Sequence, residues 1–335
     1  MIAMATTNPG LEDVAEWEVA SWGAKPISRE EGRTFFEWDG SLDELVWKIE
    51  RSNTLHKVVV IFYRGSLEGI DLSWVPKYVS PGVKFAVRAQ RIGEGIHSME
   101  LAKLVGEKVI EEVEKFYGEK PEVDLDYPSV VVYAESRFGE IIIGLQVSGE
   151  ESLHRRYYRI YEHMASLKPT IAYSMLKLAG AEEAEVLVDP MCGSGTIAIE
   201  ATKFLIPKIY CFDIKKKYVE IAKANAKAAM VEDLIEFDAW DATKLHERVT
   251  DVDLIAVNPP YGIRMGSPRK VLKLYEDFSR SSYQALGRNG KLVMITPLKE
   301  AKEIFIRNGF ELMSKRSVYH GDLWTELMLF RKRTS

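Results

Sequence analysis

The chain has 335 residues, 46% of them hydrophobic and 28% charged, with two cysteines and a formal net charge of −5. That length suits two domains and a sizeable core. It leaves no room for a disulfide framework or a zinc quartet, and the charge excludes a globally basic nucleic-acid binder. The halves differ in sign: residues 1–165 carry 19 Lys and Arg against 28 Asp and Glu, whereas residues 166–335 carry 26 against 22.

The first ten residues lack a basic segment and an apolar core, so no signal peptide is expected. No apolar run approaches the ~18 residues of a membrane helix, and two thiols fit a reducing compartment, so a cytoplasmic protein without a membrane partner or a bound metal is expected. Residues 10–22 read as an amphipathic helix, 34–38 as a strand, 41–51 as a helix and 57–62 as a strand. Strands over 84–91, 129–135 and 140–147 enclose a helix over 98–116, and the whole reads as an α+β accessory region. Near 150–168 the strand pattern stops and basic text begins. Beyond it, strands over 185–189, 209–213, 235–237, 252–257 and 290–295 alternate with helices starting at Thr196, over 216–229 and over 271–286. That alternation predicts a doubly wound, mostly parallel sheet, and residues 310–330 predict a closing antiparallel hairpin.

Two loops carry chemistry. Asp189-Pro190-Met191-Cys192-Gly193-Ser194-Gly195-Thr196 follows a strand and opens a helix. Glycines there permit a tight turn and let the backbone approach a ligand, while helix N-terminal N–H groups face its polar end. The loop lacks the third glycine of a dinucleotide fingerprint and is led by an acid instead. A second acid, Asp213, ends the next strand, where a carboxylate accepts both hydroxyls of a ribose. Asp241-Ala242 follows the third strand, placed for an adenine amine. A leading acid for an amino group and a second for a ribose point to S-adenosylmethionine (SAM), with S-adenosylhomocysteine (SAH) as product. Cys192 reads as a small loop residue rather than a nucleophile.

Asn258-Pro259-Pro260-Tyr261 closes the strand over 252–257 and precedes Gly262. An exocyclic amine on a base is a poor nucleophile because its lone pair is conjugated with the ring. It needs acceptors for its N–H bonds as it pyramidalises. The Asn258 side-chain carbonyl and the Pro259 carbonyl supply two, Pro260 stiffens the turn, and Tyr261 offers a stacking face. Carbon-5 methylation would instead want a covalent cysteine after proline, which this chain lacks.

These two loops together resemble those of the class I, Rossmann-type amino methyltransferases, whose members act on adenine N6, guanine N2 or a protein glutamine. Thr7-Asn8-Pro9-Gly10-Leu11-Glu12, Leu153-His154-Arg155-Arg156-Tyr157 and Ser166-Leu167-Lys168-Pro169-Thr170 narrow the resemblance to the THUMP-domain RNA methyltransferases, over essentially the whole chain. It implies a ferredoxin-like region over 1–65, a THUMP domain over 66–155, a linker over 156–170 and a SAM-dependent methyltransferase domain over 171–335. It also implies that Lys168, Pro169 and Thr170 help bind SAM, and that the N-terminal half grips tRNA, with no obligate protein partner and a monomeric enzyme. Position-10 guanine enzymes of the family usually carry Asp where this chain has Asn258, so guanosine 6 is the expected target, with guanosine 10, or adenine N6 or rRNA, as the alternatives. The basic residues expected at RNA are Arg155, Arg156 and Arg159, Arg88 and Arg91, and Arg264, Arg269 and Lys270 after the catalytic loop.

Overall fold

The computed structural model describes residues 1–161, 166–262 and 268–333, the side chain of Pro268 excepted. Two compact units emerge, Met1–Thr7 with Ala15–Leu153 and Asn8–Val14 with His154–Ser335. Among the described residues no helix is long and apolar enough to cross a membrane.

The first unit holds strands β1 (Ile2–Thr6), β2 (Lys25–Glu30), β3 (Arg33–Glu37), β4 (Lys57–Gly65), β5 (Lys84–Ile92), β6 (Glu122–Val123), β7 (Val130–Arg137) and β8 (Glu140–Gln146). They form one sheet in the order β2-β3-β1-β4-β8-β7-β5-β6. The helices are α1 (Glu12–Ser21, its first residues assigned to the second unit), α2 (Leu42–Ile49) and α3 (Ser98–Tyr117). A capping box starts α2: the Ser41 hydroxyl accepts from Glu44 N–H and the Glu44 carboxylate accepts from Ser41 N–H. Leu101, Val105, Val109 and Val113 recur every four residues, which buries one face of α3. The expected strands and helices of this half are present, with β1, β2 and β6 in addition. Because β1 lies between β3 and β4 with Ala3 to Thr6 all buried, it shows no polar alternation.

The second unit contains β9 (Val186–Asp189), β10 (Lys208–Asp213), β11 (Ile235–Ala239), β12 (Val252–Val257), β13 (Leu286–Thr296), β14 (Phe310–His320) and β15 (Leu323–Lys332). Its helices are α4 (Pro169–Ala179), α5 (Thr196–Ala201), α6 (Lys216–Ala228), α7 (Pro268–Ala285) and α8 (Glu300–Arg307). The sheet order is β11-β10-β9-β12-β13-β15-β14. The first five strands run parallel, and β15 pairs antiparallel with both β13 and β14. This is the doubly wound sheet with its closing hairpin. The α4 helix begins inside the span read as linker, and α8 was not anticipated.

Successive residues of each strand serve opposite layers. Leu187 and Leu254 pack with Ile171 and Met175 of α4, Ile197 of α5 and Ala222 of α6. Val188 and Ile255 pack with Tyr275 and Phe278 of α7 and Phe305 of α8. With helices on both faces the strands read as unbroken apolar runs. Strand order reverses between β9 and β12, and the carboxyl ends of β9, β10 and β12 open there, the usual ligand crevice of such sheets.

Candidate active site

Asp189 ends β9, and the chain turns at Gly193 (φ +51°) and Gly195 (φ +81°) before entering α5. Gly195 is required twice over: its backbone is left-handed, and a Cβ there would sit 2.9 Å from the Ala222 Cβ of α6. A Cβ on Gly193 would meet nothing within 4 Å, so the loop backbone lies bare on that side. The loop is tied to the neighbouring strand by the Cys192 N–H, which donates to the Phe212 carbonyl at 2.8 Å.

Asp213, at the end of β10, holds the same loop. One carboxylate oxygen accepts from Gly193 N–H at 3.1 Å and the other from Lys215 N–H at 2.9 Å. Asp189 is 1% exposed, and burial pushes its carboxyl well above the usual carboxylate range, aided by the Asp213 charge; Met191 N–H donates a long hydrogen bond to it, 3.4 Å. Among the described residues no Lys or Arg makes an ion pair with either acid. Asp241 caps the turn over Ala242–Glu247, one oxygen taking the Thr243 N–H at 2.9 Å and its hydroxyl at 2.8 Å; Ala242 is buried. Cys192 and Cys211 are buried beside one another, and burial raises both thiols, which disfavours thiolate chemistry.

Asn258 follows β12 directly. The Tyr261 hydroxyl donates to its side-chain carbonyl at 2.6 Å and so orients the amide. A residue that sequence reasoning missed supports the next carbonyl: Tyr275 of α7, fully buried, donates to Pro260 C=O at 3.2 Å and lies 2.9 Å from the Thr296 hydroxyl. Burial raises both phenols, so they stay protonated donors. Pro259 is buried and Pro260 exposed.

Of the three segments that carry the resemblance, residues 8–12, 154–157 and 166–170 lie in this unit, and Thr7 and Leu153 in the first. Thr170 Oγ1 donates to Asn8 Oδ1 at 3.1 Å, and Asn8 Nδ2 donates to Tyr319 C=O at 3.1 Å, which ties the start of α4 to β14. Gly10 is needed because a Cβ would lie 2.0 Å from the Ser317 carbonyl oxygen. Pro169 occupies the first turn of α4, with Lys168 at the cap. Ser166 Oγ lies 2.8 Å from Ser194 Oγ, and Asn225 Nδ2 donates both to Ser194 C=O and to Tyr161 C=O at 3.0 Å. Thr196 Oγ1 is 3.4 Å from Ser194 Oγ. Asn225 and Tyr275 were invisible beforehand because each is one polar residue among several on a regular helix.

The basic residues fall in separate places. In the first unit Arg88 donates to Glu150 at 2.6 Å and to Leu125 C=O at 2.7 Å, and Arg91 faces His97 at 3.3 Å. In the second unit Arg155 is exposed, Arg156 approaches the buried Glu200 at 3.9 Å, Arg159 is half-buried, and Arg269 and Lys270 are exposed at the start of α7. Arg264 lies outside the described residues.

With this geometry in place, the chain matches the family model described as an RMKL-like methyltransferase domain (UPF0020) over residues 156–326, and the THUMP domain model over 73–146. It is 34% identical to the tRNA (guanine(6)-N2)-methyltransferase of Methanocaldococcus jannaschii, with 96% of this chain and 97% of that protein aligned. The crystal structure of TrmN from Thermus thermophilus superposes with a TM-score of 0.80 at 28% identity, over 99% of each chain. SMU.472, solved in complex with SAH, shares the fold with a TM-score of 0.83 over 100% of this chain and 98% of that one, at 18% identity. The strand-end acids, the glycine turn and the Asn-Pro-Pro-Tyr loop thus stand in a chain that belongs to the RMKL-like, SAM-dependent methyltransferases that carry a THUMP domain.

Proposed function

We propose that this enzyme methylates the exocyclic N2 of guanosine 6 in tRNA, acting in the cytoplasm as a monomer without an obligate protein partner. The reading takes residues 1–65 as a ferredoxin-like region and 66–155 as the THUMP domain, both serving RNA, joined through 156–170 to the methyltransferase domain over 171–335. One observation carries it: Asn258-Pro259-Pro260-Tyr261 leaves β12 beside the two acids that end β9 and β10, at the point where strand order reverses. The similarity to the Methanocaldococcus enzyme supports the choice of guanosine 6.

The residues fit SAM. Asp189 is a buried carboxyl with no cation paired to it among the described residues, suited to the ammonium of an amino-acid moiety. Asp213 spends one lone pair per oxygen on backbone N–H groups and keeps the others for a ribose diol. Asp241 would take the adenine amine, the Gly193–Thr196 turn would lie along the amino-acid portion, and Lys168–Thr170 at the start of α4 would close the site. When bound, SAM supplies an electrophilic methyl on a sulfonium. The protein's task is then to hold the amine and shape its nitrogen. Asn258 Oδ1, fixed by the Tyr261 hydroxyl, accepts one N–H of the amine, and the Pro259 carbonyl accepts the other. Drawing on both N–H bonds turns the nitrogen lone pair out of conjugation and stabilises the positive charge that develops there. Tyr275 keeps the Pro260 peptide in place, so the acceptors are aimed before substrate arrives.

The test uses labelled SAM and tRNA transcripts with G6 or G10 replaced by adenosine, followed by nucleoside chromatography. Loss of N2-methylguanosine on replacing G6 alone is expected. Loss on replacing G10 alone transfers the enzyme to the sister specificity, and transfer to neither transcript nor parent tRNA overturns the substrate assignment.

A further inference from the structure

Ala222 and Asn225 of α6 meet the glycine loop side by side. Ala222 leaves room for nothing larger than glycine at 195, and Asn225 donates its amide Nδ2 to the Ser194 carbonyl at 3.0 Å. The same amide holds a second stretch of chain. Nδ2 also donates to the Tyr161 carbonyl at 3.0 Å, and Oδ1 accepts from the Tyr161 N–H at 3.2 Å. Both amide donors are thereby spent, and the two carbonyls stand no farther apart than the sum of those two bonds. Asn225 is 1% exposed, and Val219, Ala222 and Ala226 on the same helix are buried. An amide in such a place is unfavourable unless its groups are paired, and here the partners are the backbones of two segments far apart in sequence. The Tyr161 segment is fastened a second time, by the buried Tyr158, whose hydroxyl donates to Glu200 of α5 at 2.6 Å. In the loop, the Ser194–Gly195 peptide is gripped at both ends: its C=O by Asn225, and its N–H by the Cys192 carbonyl at 2.8 Å.

We propose that Asn225 is a positioning residue for methyl transfer: it sets the Ser194–Gly195 peptide in the shape that receives SAM, and it makes that shape depend on the docked His154–Tyr161 segment. Gly193 and Gly195, both at positive φ, leave the loop backbone free to rotate. Without a fixed Ser194 carbonyl the loop samples other arrangements, and the apparent SAM affinity falls by the fraction of time spent in the competent one. Asn225 acts through the loop backbone, not on the methyl or the amine. Bound SAM itself holds the loop, so the transfer step is spared once the cofactor is in place. The inference rests on the reading of the glycine loop as the SAM site.

The experiment reads three quantities on the full chain: the urea midpoint, calorimetric SAM affinity at a temperature where each variant is folded, and kcat on tRNA at saturating SAM. Asn225→Asp keeps the acceptor for the Tyr161 N–H but sets oxygen against oxygen at both carbonyls, and Asn225→Ala removes all three bonds. Each is expected to weaken SAM binding about tenfold or more, with kcat at saturating SAM within about threefold of the parent chain. SAM affinity within about twofold of the parent overturns the proposal even where the urea midpoint falls, because a residue serving stability alone leaves the affinity of the folded protein intact. A fall in kcat at saturating SAM as large as the fall in affinity overturns it too, since the effect then lies on the transfer step. If neither variant folds, Tyr158→Phe decides: it frees the same segment from Glu200 and should weaken SAM about threefold, and unchanged affinity refutes the dependence on that segment. Gly193→Ala keeps the two readings apart. Normal SAM binding by that variant removes the loop from the cofactor site, whereas weak binding by it with normal binding by the Asn225 variants sinks the positioning role alone.

Discussion

Gly193 and Gly195 lie two residues apart, and alanine at each should fail in a different way. At Gly195 the left-handed backbone costs a residue with a Cβ about 1–2 kcal/mol. The added methyl would also approach the Ala222 Cβ to 2.9 Å and its Cα to 3.1 Å, and forcing apart a packed helix contact adds about 1–3 kcal/mol. Gly195→Ala should therefore destabilise the second unit by about 2–5 kcal/mol, a large part of the ~5–15 kcal/mol that holds an ordinary domain folded. Gly193→Ala bears only the backbone cost of about 1–2 kcal/mol, because its Cβ meets nothing within 4 Å. That same Cβ would stand where the loop backbone lies bare, so Gly193→Ala should lose SAM affinity by about tenfold or more while remaining folded. Urea titration of the apoprotein, read by circular dichroism, and calorimetric SAM binding measure the two effects separately. Equal loss of stability in both variants, or normal SAM binding by Gly193→Ala, would refute the assignment of one glycine to packing and the other to the ligand face.

Three further outcomes follow from the site. Asn258→Ala should lower kcat by about 10²–10³ with SAM affinity unchanged, since it deletes one of two preset acceptors; near-normal turnover in single-turnover assays would remove Asn258 from the mechanism. Tyr275→Phe leaves the Pro260 carbonyl without its phenol donor and should cut kcat about tenfold more than it changes the tRNA KM, so a pure KM effect would rule out a positioning role. The chain should also lose stability in acid. His154 and His320 are driven from 6.5 to about 4 in the fold, chiefly by burial and then by the Lys168 charge, so between those values the unfolded chain takes protons that the folded chain rejects. Their contribution is complete above pH 6.5 and disappears as the pH falls toward 4. It reaches about 3 kcal/mol for the buried His320 and less for the half-buried His154. Subtracting the pH-stability curve of His320→Gln from that of the parent chain isolates the term, and superimposable curves would disprove it.

Much of the candidate site was legible beforehand because its groups sit where local pattern changes. Asp189, Asp213 and Asn258 each mark the end of a strand that reads as an apolar run, and the glycine turn and the Asn-Pro-Pro-Tyr loop are contiguous. Only the first two residues of α4, Pro169 and Thr170, fall in the span read as linker, although Pro169 is well placed in a first helical turn. The α8 helix is short, Glu300–Arg307, and gave too few periods to stand out. β1 escaped notice for the opposite reason, being apolar on both faces.

The sequence by itself determined the doubly wound class and placed the candidate acids and amide at strand ends, because backbone alternation and turn chemistry are encoded within a few residues. Only the tertiary structure decided that Asn8 bonds Thr170, 162 positions away, and that Tyr275 supports Pro260. Those contacts depend on which strands pair and which helix faces meet, and packing chooses among such arrangements only once the whole core has formed.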